Sequence, residues 1–229
     1  MAMERGRERG LGQWVSRTFW STFRNSRQVE RALNRVLKPL AVGQRGLNVG
    51  AGDRRAHQAL ITVDLDRSLA IDCVADAKRL PFQDRAFAVV LSQEALEHVP
   101  DPFQAVGEMG RVLNRGGRLL LQVPFVLGYH PDPEDFWRFT AAGLRGLFEQ
   151  AGLQCEQVEV AYGAGTGLHR ILVEFGAGVV ERLFAPAYRP AKGCLAIMFY
   201  PLKWLDGWLA KRDSNRIAGG FIGIGTKPA

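Results

Sequence analysis

The run Tyr129-His130-Pro131-Asp132-Pro133-Glu134-Asp135-Phe136-Trp137-Arg138-Phe139-Thr140 concentrates an imidazole, three carboxylates and a guanidinium in one short segment. Its two prolines predict a stiffened loop, and loops on a rigid scaffold are where binding and catalytic groups concentrate. His130 is the group there best suited to removing a proton from a hydroxyl nucleophile, because an unperturbed imidazole titrates near neutral pH. The same residues also have a structural reading. In it Asp135 pairs with Arg138, Phe136 and Trp137 pack, Thr140 caps a helix over residues 141–151, and His130 is simply hydrogen-bonded. For His130 the sequence leaves both readings open.

A second set of groups reads as a ligand corner. Leu47-Asn48-Val49-Gly50-Ala51-Gly52-Asp53 is an apolar run that turns into Gly-x-Gly, where glycine reaches positive φ and lets backbone N–H groups approach a ligand. Leu60-Ile61-Thr62-Val63-Asp64-Leu65-Asp66 follows as a β-branched run ending in a carboxylate, the place where an α/β sheet holds an acid for ribose hydroxyls. A nicotinamide dinucleotide would need a third glycine, which is Arg55 here, and a longer spacing to the acid. Asp53 would also repel a pyrophosphate, so a nucleoside without phosphates fits better. Asp76, closing Ile71-Asp72-Cys73-Val74-Ala75-Asp76-Ala77, could accept from an adenine amine with Leu80 and Phe82 against the ring; a solvated turn acid is the plainer role.

These groups need strands to carry them. Besides the runs already named, 87–92 (Phe-Ala-Val-Val-Leu-Ser) is continuously apolar, as in a parallel strand buried on both faces. It ends at Gln93 and Glu94, at a carboxyl edge. A helix is predicted over 102–113, burying Phe103, Val106, Met109, Val112 and Leu113 and closed by Gly116-Gly117, before a strand over 118–125. Strands at 154–161 and 220–227 complete the pattern. Between them, helices are predicted over 168–184 and 194–209; the second is rich in aromatic and apolar residues but too interrupted by Lys203 and Asp206 to span a bilayer.

The succession LNVGAG, TVDLD and ADAKRLPFQDRAFAVVLSQEALEHVPDPFQAVGEMGRVLNRGGRLLLQVP, over roughly residues 46–160, strongly resembles class I S-adenosylmethionine-dependent methyltransferases, in particular the bacterial methyltransferase-type-11-like group with LPF and LEHV signatures. The resemblance implies a doubly wound, Rossmann-like α/β sheet of seven strands with the last antiparallel. By it, Gly50, Ala51 and Gly52 line the methionine moiety of S-adenosyl-L-methionine, Asp64 takes the ribose hydroxyls, Asp76 and Ala77 hold the adenine, and Ser92 and Gln93 lie beside the cofactor. His98 of the LEHV signature is a weaker proton-relay candidate, more suited to anchoring the loop beneath the cofactor. The DFWRFT run is similar to that of relatives associated with glycan or cell-envelope pathways. The chain departs from the family pattern in having Asn48 for the usual acid, Arg54 for the third loop glycine, and an abbreviated first crossover. No metal is expected: methyl transfer from a sulfonium needs no Lewis acid, which also argues against a site from His130, Asp132 and Glu134.

Charge divides the chain. Up to Arg45 there are ten Lys/Arg against three Asp/Glu, a balance of +7, and the remainder balances at twenty of each. The division is therefore a basic helical extension over 1–45 and a methyltransferase domain over 46–229, with a helical insertion at about 163–217. In the extension Trp14, Phe19, Trp20 and Phe23 alternate with arginines, and 29–40 has a helical apolar pattern. Its plain role is packing on the core over the substrate side; its sharper one, with the apolar insertion, is contact with an anionic membrane surface. Nucleic acid is not expected, as the neutral core offers no second basic track. The start does not read as a secretory signal, and Cys73, Cys155 and Cys194 show no pairing or zinc spacing. The expectation is a cytoplasmic enzyme, membrane-associated in the sharper reading, that methylates a hydroxyl or amine of a glycan, lipid or small molecule. The alternative from another class is a non-catalytic scaffold of the same fold.

Overall fold

The computed structural model describes residues 26–40, 43–52, 55–66, 71–209 and 216–229. The aromatic segment over 14–23 lies outside them, as do Asp53 and Arg54. Helix α1 (Arg27–Leu37) opens with Ser26, whose side chain accepts the Val29 amide as an N-cap and donates to the Ala161 carbonyl. Strands β1 (Gly46–Val49), β2 (Leu60–Asp64), β3 (Cys73–Val74) and β4 (Phe87–Gln93) follow, then a 3₁₀ turn, Leu96–His98. Next come α2 (Pro102–Val112), β5 (Leu113–Pro124), α3 (Ala141–Gln150), β6 (Gln154–Tyr162) and α4 (Ala164–Leu183). The chain ends with a short 3₁₀ turn (Ala185–Ala187), α5 (Tyr188–Met198), a further 3₁₀ turn (Tyr200–Trp204), α6 (Leu205–Leu209) and β7 (Gly220–Thr226).

The seven strands form one sheet in the order β3-β2-β1-β4-β5-β7-β6. The pairs among β1 to β5 are parallel, and β7 runs antiparallel to both β5 and β6. The expected architecture is therefore present. Alternation explains the near-continuous apolar runs: Leu47, Val49, Val90, Leu119, Leu121 and Val123 enter the core shared with α2 and α3. Leu60, Val89, Leu91, Leu120, Ile222 and Ile224 enter the opposite core, closed by Val29, Ala32 and Val36 of α1. Thus α1, the described part of the extension, packs on the sheet. In β7 glycine alternates with bulky residues because Phe148 of α3 lies flat there; a Cβ at Gly225 would come within 2.5 Å of its ring.

Three boundaries differ from expectation. Helix α2 stops at Val112, and Leu113 is already extended, so Gly116-Gly117 lie inside β5, next to the break in register between β4 and β5. The third strand is only Cys73–Val74, leaving Asp76 beyond its end. The apolar stretch over 194–209 is broken after Met198, where Pro201, lacking an amide N–H, opens a 3₁₀ turn. The insertion is anchored by Asp206, whose carboxylate accepts the Gly165 amide at 2.6 Å and the Thr166 amide at 3.2 Å, capping the N-terminus of α4 from a distant helix.

Candidate active site at the carboxyl edge of the sheet

Parallel strands deliver their carboxyl ends to one edge, and the predicted groups arrive there by three routes. The first is the glycine corner after β1. Gly50 and Gly52 adopt φ of 68° and 59°. The Gly50 and Ala51 amides donate to the Val63 carbonyl at 2.9 and 3.1 Å, and the Gly52 amide donates to Asp64 Oδ2 at 2.7 Å. A Cβ at Gly50 would lie 2.3 Å from Cβ of Ala95, so this close turn admits only glycine. Among the described residues no helix intervenes between β1 and β2, matching the abbreviated crossover. Asp64 Oδ1 meets only the Asp66 amide, at 3.3 Å, a weak contact that leaves it open to a hydroxyl donor.

The second route is the end of β3. Asp76 Oδ1 accepts the Lys78 amide at 2.9 Å and Oδ2 lies 3.6 Å from Lys78 Nζ, while Ala77 and Phe82 pack against the core. Asp76 thus folds onto its own turn, with Ala77 beneath it.

The third route is the end of β4 and the loop after β5. Ser92 and Gln93 are buried; Gln93 Nε2 donates to Gln122 Oε1 at 2.8 Å, and Ser92 Oγ has no hydrogen-bond partner. Glu94 follows at φ 50°, a left-handed conformation uncommon outside glycine and a sign of a constrained functional position. Its carboxylate accepts from the Tyr162 hydroxyl at 3.2 Å and from Gln122 Nε2 at 3.2 Å. Burial, and then the charge of Glu94, push the Tyr162 phenol well above its ordinary value. Burial pulls the neighbouring Arg170 guanidinium down.

Beyond it, Arg138 organises the loop. Its Nη1 and Nη2 grip Asp135 at 2.5 and 2.6 Å, while Nε and Nη2 donate to the carbonyls of Leu127 and Gly128. Burial raises the Asp135 carboxyl, but the Arg138 hydrogen bonds and the His130 amide, 2.8 Å away, outweigh it and hold the group at about 2. The loop is fastened to the 3₁₀ turn by the Glu97 carbonyl, which accepts the Phe136 and Trp137 amides at 2.7 and 3.3 Å. Thr140 caps α3 by accepting the Gly143 amide, as expected. Phe136 and Trp137 do not pack inside: both are exposed, and Phe139 is the aromatic that reaches the core. Their amides anchor the loop, and the exposed Trp137 ring donates from Nε1 to the Pro100 carbonyl at 3.3 Å and stacks on Phe139.

This folding brings His130 to Glu97 and His98, not to Asp132 and Glu134. The two imidazoles meet edge to face at 5.2 Å, and their Nε2 atoms stand 3.5 Å (His130) and 3.8 Å (His98) from Glu97 Oε1. Each Nδ1 lies on a backbone carbonyl, His130 on Gly128 at 3.0 Å and His98 on Glu134 at 2.5 Å. A carbonyl only accepts, so these contacts favour a proton on each Nδ1; Arg138 Nη2 also stands 3.3 Å from His130 Nδ1. Burial lowers the His130 imidazole, but Glu97 and the Gly128 carbonyl together raise it above its ordinary value. Sequence reasoning gave Glu97, Tyr162 and Arg170 no role of their own and placed Glu94 only at the carboxyl edge. The LEHV signature offered Glu97 as a signal, but only the return of a distant loop gives it a partner.

The corner suits S-adenosylmethionine: a turn at Gly50 without room for a Cβ, an Asp64 oxygen held only by one long contact, and a buried hydroxyl at Ser92 with no hydrogen-bond partner on the adjoining strand. Among known proteins, residues 47–121 match the family described as a methyltransferase domain. A 27-O-demethylrifamycin SV methyltransferase from Amycolatopsis mediterranei is 28% identical over 158 residues, covering 54% of this chain and 57% of that protein. The chain spans about half the length of the curated relatives it matches. The Haemonchus contortus phosphoethanolamine N-methyltransferase 2 complex with phosphomonomethylethanolamine and S-adenosylhomocysteine aligns at TM-score 0.57 and 16% identity, covering 95% of this chain and 57% of that one. A [4+2]-cyclase, SpnF, aligns at TM-score 0.53 and 19% identity over 88% of this chain and 81% of its own. At such identities the structural likeness is one of fold, which hosts more than one chemistry. Taken with the sheet order and the glycine corner, the match over residues 47–121 supports a class I S-adenosylmethionine-dependent methyltransferase domain.

Proposed function

We propose that the chain transfers a methyl group to a hydroxyl or amine of a glycan, lipid or small-molecule acceptor. The observation that carries this reading is the arrival, at one edge of the sheet, of the Gly50–Asp64 corner and the Glu97–His98–His130 cluster. Bound there, S-adenosyl-L-methionine supplies an electrophilic methyl on a sulfonium. Gly50, Ala51 and Gly52 line the corner, Asp64 accepts from the ribose, Asp76 and Ala77 border the adenine, and Ser92 and Gln93 close the β4 side. Direct displacement needs alignment and exclusion of water more than covalent help. For a hydroxyl acceptor, His130 Nε2 takes the proton beside the Glu97 carboxylate, which stands 3.5 Å from that nitrogen and stabilises the imidazolium that forms.

The insertion supports narrowing the acceptor to one presented at a membrane surface. Leu168, Ile171, Phe175, Val179 and Leu183 recur along one face of α4 and are all exposed, Phe175 by 71% and Leu183 by 83%. Among the described residues no helix is long and apolar enough to cross a membrane, so such contact would be peripheral.

The test is a thermal-shift titration with S-adenosylmethionine, S-adenosylhomocysteine and NAD. At a hundred times the dissociation constant the first two stabilise the protein by about 2.7 kcal/mol and NAD does nothing. Folded protein indifferent to both sulfur ligands overturns the reading. Coupled release of S-adenosylhomocysteine, with lipid, glycan and metabolite fractions as acceptors, then sorts the acceptor classes.

A further inference from the structure

We propose that Glu97, His98 and His130 form a binding site for one divalent transition-metal ion of zinc type, with a fourth position open to water or to an acceptor hydroxyl. One ligand atom from each residue lies within 4.8 Å of the others. The inference uses the residues assigned to proton transfer above, but it rests on their geometry and does not require methyl transfer.

Glu97 is the starting point. Its side chain is 0% exposed, yet neither carboxylate oxygen has a hydrogen-bond partner. A buried carboxylate without partners is costly and needs a compensating positive group. Facing it are two imidazoles whose Nδ1 atoms both meet backbone carbonyls, so each ring turns its Nε2 toward Glu97 Oε1. Three electron-pair donors converge with nothing between them.

Two kinds of cation could fill that gap, and the distances choose between them. Protons on both Nε2 atoms would draw the rings to the ~2.7–2.9 Å of charge-assisted hydrogen bonds. The observed 3.5 and 3.8 Å are too long for that. Ligands about 2.0–2.2 Å from a tetrahedral zinc stand roughly 3.3–3.6 Å from one another, which these separations match within a few tenths of an ångström.

The surroundings have the form of a metal site's outer shell. In such sites a ligating histidine donates its other ring N–H to a carbonyl or carboxylate, which fixes tautomer and orientation. Both histidines do so here. Nearby positive charge is countered: Arg138 is gripped by Asp135, and the charges of Glu174 and Glu94 act on Arg170. His98 and His130 are 16% and 20% exposed, giving the ion a way in and leaving the open position at the surface of the cleft. Three protein ligands with one vacancy is the pattern of catalytic zinc. When the ion is present His130 is a ligand and an acceptor hydroxyl in the fourth position is acidified by the metal; when absent His130 is the base.

The test uses tag-free full chain, stripped with chelator and titrated with Zn²⁺ and, as a spectroscopic probe, Co²⁺. The expected result is one tightly bound ion per chain and visible cobalt bands of tetrahedral type without a thiolate charge-transfer band, which excludes Cys73, Cys155 and Cys194. Glu97→Gln and His130→Ala should each weaken binding by at least ~100-fold, while His57→Ala, at an exposed histidine outside the cluster, leaves it unchanged. The wild-type cobalt spectrum stands even if a variant folds poorly. Folded wild type that takes up no zinc or cobalt, or that shows octahedral or thiolate spectra, overturns the proposal. So does equal binding by folded Glu97→Gln protein. Thermal shift with S-adenosylhomocysteine on the stripped protein reads the cofactor assignment separately, so the two can fail independently.

Discussion

Asp64 Oδ2 accepts the Gly52 amide at 2.7 Å, so the carboxylate that ends β2 also fixes the turn that ends β1. Substituting Asp64 therefore disturbs the corner and its ribose acceptor together. Asp64→Ala should weaken S-adenosylhomocysteine by about 1.5–3 kcal/mol, the value of hydrogen bonds to a charged group. Asp66→Ala, at an exposed position, should change it little. Isothermal titration of both variants checks the pair, and equal losses would count against Asp64.

The two corner glycines should respond differently to alanine. Gly50→Ala adds a Cβ 2.3 Å from Ala95 Cβ in a left-handed backbone, combining overpacking of roughly 1–3 kcal/mol with a conformational cost of roughly 1–2 kcal/mol. Gly52→Ala has the conformational cost alone, since none of the described residues lies within 4 Å of its Cβ position. Denaturant unfolding should rank Gly50→Ala clearly below Gly52→Ala.

Breaking the Asp135–Arg138 pair should also be costly. Arg138→Ala leaves the buried Asp135 carboxylate without its charged partner and should destabilise by about 3–5 kcal/mol, with loss of both folding and activity. The pair also predicts acid sensitivity. Asp135 is held at about 2, below its unfolded value near 3.9, so its contribution of about 2 kcal/mol is complete above that unfolded value. It is lost as pH falls through 4 toward 2. Acid unfolding of wild type against Asp135→Asn, which lacks this titration, isolates the difference.

His130→Ala should leave S-adenosylhomocysteine affinity nearly unchanged while lowering turnover on a hydroxyl acceptor by roughly 10²- to 10⁴-fold. Full turnover in folded His130→Ala protein would remove the residue from the chemistry.

Local features of this chain were readable in its sequence. The Thr140 cap, the Asp135–Arg138 pair and the carboxyl-edge position of Asp64 each depend on neighbours in sequence or on strand periodicity. What escaped was set by contacts between distant segments. Phe136 and Trp137 look like packing residues by composition; they are exposed because the Glu97 carbonyl captures their amides. The Glu94 contact with Tyr162 spans 68 positions, and the Glu97 pairing with His130 exists only once the loop folds back over the 3₁₀ turn. The third strand proved shorter than its apolar run because it pairs only with β2, through two residues.

The place of β7 has a bearing on how the chain acquires its shape. It is the last strand in chain order, yet it lies between β5 and β6, and α1, the first described element, packs against all three. A ribosome delivering the chain from its amino end therefore releases β6 before its only partner in the sheet exists, and α1 waits for nearly the whole chain before its apolar face is covered. Such contacts between remote positions slow folding and prolong the exposure of unpaired strand edges. Pulse-labelled hydrogen exchange during refolding should find the amides of β6 and β7 gaining protection together and after those of β1 and β4.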